Sequence, residues 1–142
     1  LEELQRALSC SLRSVEKKEQ HQPDSNDLAA SYNNVGCTYG DLGEHQKALE
    51  YDLKALAIRE RVLPPEHPDL ALSCSNIAWT YHALGRLEEA AVHMRRAADI
   101  INRSTLPEHH SDRVNYNKWA DRLEREARKP KRRGWLARLF GK

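Results

Sequence analysis

The segment SYNNVGCTYGDLGEHQKALE, Ser31 to Glu50, is answered 42 residues later by SCSNIAWTYHALGRLEEAAV, Ser73 to Val92. At this offset Leu28 pairs with Leu70, Ala29 with Ala71, Asn34 with Asn76 and Val35 with Ile77. The register continues through Thr38/Thr80, Tyr39/Tyr81, Leu42/Leu84, Gly43/Gly85, Ala48/Ala90, Ala55/Ala97 and Ile58/Ile100. A fixed period of this length marks a repeat architecture, in which each unit buries its apolar face against the next.

Each copy divides into two amphipathic segments. Tyr32, Val35, Gly36 and Tyr39 fall at i, i+3, i+4 and i+7, and the second copy places Cys74, Ile77, Ala78 and Tyr81 on the same stripe. Gly43 and Gly85 are the expected stops, because glycine enters the left-handed region that other residues resist. A second helix then turns Ala48, Leu49, Ala55, Leu56 and Ile58 inward. Small residues at 36/78, 48/90 and 55/97 allow close approach of the two axes, whereas exposed positions are free to vary. The second helix is expected to break at Leu63–Pro64, and Pro68–Asp69 fits the first turn of the helix after it.

The flanks follow the same frame. LQRALSCSLRSVEKK, residues 4–18, matches HQKALEYDLKALAIR at an offset of 41 and reads as the second helix of a repeat whose first half is missing. Tyr116, Trp119, Ala120 and Leu123 match Cys74, Ile77, Ala78 and Tyr81, but Ala127 stands where the turn glycine should be. Residues 111–128 therefore read as a solvating cap helix with Lys118, Asp121, Arg122 and Arg125 outward. The array is expected to end there, with the natural carboxyl terminus close by. The only methionine is Met94, so the chain also reads as a piece of a longer protein.

Composition narrows the function classes. Charged residues make up 31% and aromatics 6% of 142 residues, which favours a solvated helical protein of one domain. No apolar run approaches the roughly 18 residues that cross a bilayer, and the acidic, amphipathic start is no signal peptide. The three cysteines lie far apart and read as small, mostly buried thiols in a reducing compartment, hence a cytoplasmic location. Seven histidines show no HxxxH or HExxH spacing, so no metal site or cofactor is expected. No phosphate loop or nucleophile elbow occurs, and no catalytic residues are assigned.

Taken together, the stretch from Asp27 to about Ile100 resembles the tetratricopeptide repeat family, in the 42-residue version found in kinesin light chains. The resemblance rests on the HPDLA helix start, the pair Asn33/Asn34, the Gly43–Glu44 turn and the exit ALAIRERVLPPEHPD. The second copy departs from the pattern at Ser75, which replaces the first asparagine, and at Val92/His93. The resemblance implies an all-α, right-handed solenoid of antiparallel helix pairs, with about six helices and a carboxyl-terminal cap. Its divisions would be 1–20, 26–63, 68–104 and 111–128 within a repeat domain 1–128, followed by a tail at 129–142. It also implies a non-catalytic scaffold that holds a partner protein or peptide in a concave face.

In that frame the groove positions are Ala30, Asn33, Asn34, Cys37 and Asp41, then Leu72, Ser75, Asn76, Trp79 and Ala83. Asparagine amides suit an extended peptide backbone, and Trp79 is either an anchor or packing against the neighbouring repeat. Some relatives grip a terminal carboxylate with a lysine and an asparagine one turn apart. The matching pairs here are Asn33/Cys37, Ser75/Trp79 and Asn117/Asp121, so the clamp is absent and a neutral or basic segment fits better.

The tail KPKRRGWLARLFGK differs in character. Residues 128–142 hold seven Lys/Arg and no acid, leaving 16 basic against 21 acidic residues, or −5, for the rest. Lys131, Arg132 and Arg133 form a basic cluster. On a helix, Trp135, Leu136, Leu139 and Phe140 would share an arc of about 140°, with Arg138 and Lys142 outside it. This pattern fits a solvated end, a protein dock or an anionic membrane surface, and nucleic acid is the least favoured partner. The alternative function is thus a peripheral membrane or targeting module in which the tail localises a repeat-bound partner. Self-association through the uncovered face of residues 4–18 is a further reading.

Overall fold

The computed structural model describes residues 1–129. The tail residues Lys131, Arg132, Arg133, Trp135, Leu139 and Phe140 lie outside the described residues, and so do the readings placed on them. Among the described residues there are six helices and no strand. They are α1 (Glu2–His21), α2 (Asn26–Asp41) and α3 (His45–Val62), then α4 (Pro68–Ala83), α5 (Leu87–Arg103) and α6 (Ser111–Arg128).

The helix ends follow from local chemistry. Ser25 caps α2 by accepting a hydrogen bond from the Leu28 amide at 3.0 Å. Pro68 opens α4, where the His67 imidazole accepts from the Asp69 amide. Gly43 and Gly85 take φ of 77° and 73°, the left-handed conformation that the sequence requires of them. Each closes a Schellman cap: the Glu44 amide donates back to Tyr39, and the Arg86 amide to Tyr81, both at 2.9 Å. The two hairpins α2/α3 and α4/α5 therefore turn in the same way.

Packing runs from each helix to the next, with α2 also touching α4. Three apolar clusters succeed one another along the chain. Val15, Leu28, Val35 and Ile58 join α1, α2 and α3. Leu56, Leu70, Ile77, Ile100 and Ile101 join α3, α4 and α5. Met94, Ala98, Ala120 and Leu123 seat α6 on the α4/α5 hairpin. The small residues Ala48, Ala55, Ala78, Ala90 and Ala97 are all buried, as close axes demand. Lys118, Asp121, Arg122 and Arg125 on α6 all lie on the exposed side.

One expectation is corrected. The thiols are not mostly buried: Cys74 is, but Cys10 and Cys37 are exposed. Cys10 sits on a face of α1 that α2 does not cover, and Cys37 opens onto a cavity. Burial pushes the Cys74 thiol up to about 11, which makes it inert near neutral pH.

Candidate functional site

A cavity of about 290 Å³ lies between α2, α3 and α4. Its walls include Cys37 and Asp41 from α2, with Asn76 and Trp79 from α4. Five of the ten groove positions, Ala83 among them, therefore meet at one place. They meet because 37 and 41, and likewise 76 and 79, stand one helical turn apart on neighbouring first helices.

The three polar groove positions outside the cavity sit differently. Asn34 is exposed on α2. Asn33 and Ser75 are only 5% and 4% exposed, so they do not present themselves to solvent. Ser75 donates to the Leu72 carbonyl at 2.8 Å. Both amide atoms of Asn33 are buried without a hydrogen-bond partner.

Trp79 both packs and shows. Its ring meets Trp119 of the cap helix edge-on, with centroids 4.7 Å apart, yet 38% of the residue remains exposed. Arg122 lies over the far ring of this pair, 4.9 Å from the Trp119 centroid. Trp79 is thus fixed in orientation by the cap helix α6 while part of it faces outward.

The cavity also holds a group that the sequence did not single out. Asp52 of α3 lines it and is only 2% exposed. Its Oδ2 accepts from Thr80 Oγ1 of α4 at 3.0 Å, and its Oδ1 is buried without a partner. Burial pushes the carboxyl up to about 6, against the hydrogen bond from Thr80, which acts to lower it. The Cys37 thiol, open to solvent on one side only, is pushed up as well, first by the burial of its other side and then by the carboxylates of Asp52 and Asp41.

Asp52 was legible in principle. It follows Ala48 by four residues and precedes Ala55 by three, inside the apolar stripe, and the second copy holds Met94 there. The same comparison exposes Gly36: a Cβ built there would overlap Asp52 Oδ1 and stand 3.1 Å from its Cγ. The second copy pairs Ala78 with Met94, so the missing Cβ and the carboxylate belong together.

Among the described residues no group of three His, Cys, Asp or Glu is placed to hold a metal ion. No helix of the described residues is long and apolar enough to cross a membrane. What the arrangement offers is a recess with an aromatic wall, the Asn76 amide at its edge and acidic groups at floor and mouth.

Comparison with known proteins gives a consistent picture. The family model described as tetratricopeptide repeat matches residues 1–61 and 27–103. No curated protein matches the chain in sequence. Among solved structures, it is similar to nearly identical TPR-like repeats assigned to a kinesin light chain of Podosopora anserina. That match has a TM-score of 0.79 at 23% identity and covers 87% of this chain and 59% of the other. A variant form of the same repeats matches at 0.77 and 24% identity, covering 84% and 57%. The N-terminal domain of stress-induced protein-1 from C. elegans matches at 0.59 and 16% identity, covering 78% and 76%. At such identities the likeness speaks for the fold, and the chain spans less than two thirds of the Podosopora repeats.

Proposed function

Because the chain belongs to the tetratricopeptide repeat family, we propose that it is a non-catalytic scaffold or adaptor that holds an extended segment of a protein partner along α2 and α4. Repeats of this family mediate protein–protein interactions in general. The observation that supports the reading is the convergence of Cys37, Asp41, Asn76 and Trp79 on one cavity. Asn76 at its edge can both donate to and accept from a peptide main chain, and Asn34 lies exposed on the neighbouring helix. A part-exposed tryptophan held by a second aromatic ring is a preorganised anchor, with little side-chain freedom left to lose on binding. With Cys10 and Cys37 exposed and unpaired, a reducing compartment such as the cytoplasm suits the protein.

The test compares capture of partners from source lysate by the intact chain and by the Asn34→Ala/Asn76→Ala/Trp79→Ala variant. The expected result is loss of the captured partner by the variant, with helicity and melting temperature nearly unchanged. Equal capture by both would place the binding surface elsewhere on the array.

A further inference from the structure

The fold does not require a carboxylate at the floor of the cavity. The second repeat builds the same hairpin with Met94 in that place, fully buried and apolar, against Ala78. In the first repeat the exchange of both residues creates a recess with a charge in it. The charge is incompletely served, since Asp52 Oδ1 has no partner. The hold on Oδ2 is also shared. Thr80 has one hydroxyl proton and two acceptors within reach, Asp52 Oδ2 at 3.0 Å and the Asn76 carbonyl at 3.1 Å. When the proton turns to Asn76, both carboxylate oxygens lack a donor.

We propose that the cavity takes the side-chain ammonium of a lysine in the extended partner segment, with Asp52 as its acceptor, Asp41 at the mouth and Trp79 as the wall. The proposal rests on the reading of this face as a peptide groove and adds what the groove selects. The volume of about 290 Å³ is at the small end for a ligand pocket and fits one side chain better than a cofactor. Lysine is favoured over arginine by the geometry of the floor. Thr80 holds Oδ2, which leaves Oδ1, beside the bare Cα of Gly36, as the single oxygen for the ligand, and a guanidinium fork wants two. An exposed carboxylate at Asp41 and an indole surface both favour a cation on its way in.

The titratable groups around the recess are Cys37 and Asp41 on α2 and His45 on α3, while α4 presents Asn76, Trp79, Thr80 and Ala83. The carboxyl of Asp52 must be ionised to hold the ammonium, so capture weakens as pH falls through the region of its titration near 6.

The experiment follows backbone amide and indole resonances of the intact protein during titration with the blocked peptide acetyl-Gly-Gly-Lys-Gly-Gly-amide. Parallel titrations replace the lysine with norleucine, arginine or glutamate. Saturable shifts at Gly36, Cys37, Asp41 and the Trp79 indole are expected with lysine, at least about tenfold tighter than with norleucine, as one charge-assisted hydrogen bond implies. Asp52→Asn is expected to erase that preference. So is the pair Gly36→Ala/Asp52→Met, which writes the chemistry of the second repeat into the first and keeps a buried side chain in place. Equal binding of the lysine and norleucine peptides, or a lysine preference that survives Asp52→Asn, overturns the cation site and leaves the groove standing. A tighter arginine peptide overturns the choice of lysine. Absence of saturable shifts at these residues with every peptide also overturns the cation site, while the groove itself is decided separately by the alanine variant above.

Discussion

Asp52 and Arg59 stand seven residues apart on α3, and both are buried, at 2% and 3% exposure. Their counterparts 42 residues on are Met94 and Ile101, also buried. At the scale of single residues, then, the two repeats solve the same packing problem with opposite chemistry. For Asp52 this has a pH signature. A carboxyl that titrates near 3.9 in the unfolded chain and at about 6 in the folded one binds its proton more tightly when folded. The Asp52 contribution to stability is therefore highest below the unfolded value and falls as pH rises through the window between about 4 and 6, by about 2–3 kcal/mol, then levels off. Asp52→Asn is expected to flatten the curve across that window and to be more stable than the parent above it. Urea unfolding at a series of pH values checks this, and a slope that persists in the variant would assign it to another group. The readings of Asn33 and Ser75 belong at this scale too. Both were placed on the groove by register with the family, and both are buried, which register alone does not reveal.

At the scale of the element, the helix boundaries and turns were legible because their causes are local. Pro68 opens α4, Gly43 and Gly85 close α2 and α4, and Leu63 marks the end of α3 one residue after its last helical residue. The partners of Arg59 were not legible, because they come from other helices. Its Nε donates to Asn26 Oδ1 at 3.0 Å, and its Nη1 donates to the Asp69 carbonyl at 3.0 Å and to Ser73 Oγ at 2.9 Å. The side chain thus ties the end of α3 to the starts of α2 and α4. Burial lowers the guanidinium from its usual value, but a guanidinium remains charged throughout the working range. Arg59→Ala is expected to cost about 3–5 kcal/mol, because it strands buried polar partners, and Arg59→Lys is expected to restore little without the planar fork. Loss of the exposed Arg61–Asp24 pair, by contrast, should cost at most about 1 kcal/mol. Denaturant midpoints for the three variants check the order, and a lysine variant as stable as the parent would contradict it.

At the scale of the whole molecule, the three successive clusters make stability close to a sum of neighbour terms. Helix α1 is held on one side, with Val15 its only fully buried residue, while α4 and α5 are covered by helices before and after them. Amide exchange in the native state is expected to be fastest in α1 and slowest in α4 and α5. Equal protection across α1 and α5 would mean that the array opens only as one unit. The ion pairs of Arg95 with Asp121 and Glu124, at 2.6 and 2.7 Å, add to the hold of the cap helix on α5.

The amino-acid sequence by itself determined the helices, their turns, the 42-residue period and the small residues at the helix seams. Those features follow from spacing along one chain and from the backbone preferences of glycine and proline, which are present before any helix meets another. Only the tertiary structure decided which polar residues are buried and which meet around the cavity. Along the chain, Asp52 and Arg59 stand out only as polar residues where the second repeat has Met94 and Ile101, and nothing marks Asn33 or Ser75 as buried. Whether each faces water depends on the helix that arrives from the next repeat, and that contact is set by the stacking of the array.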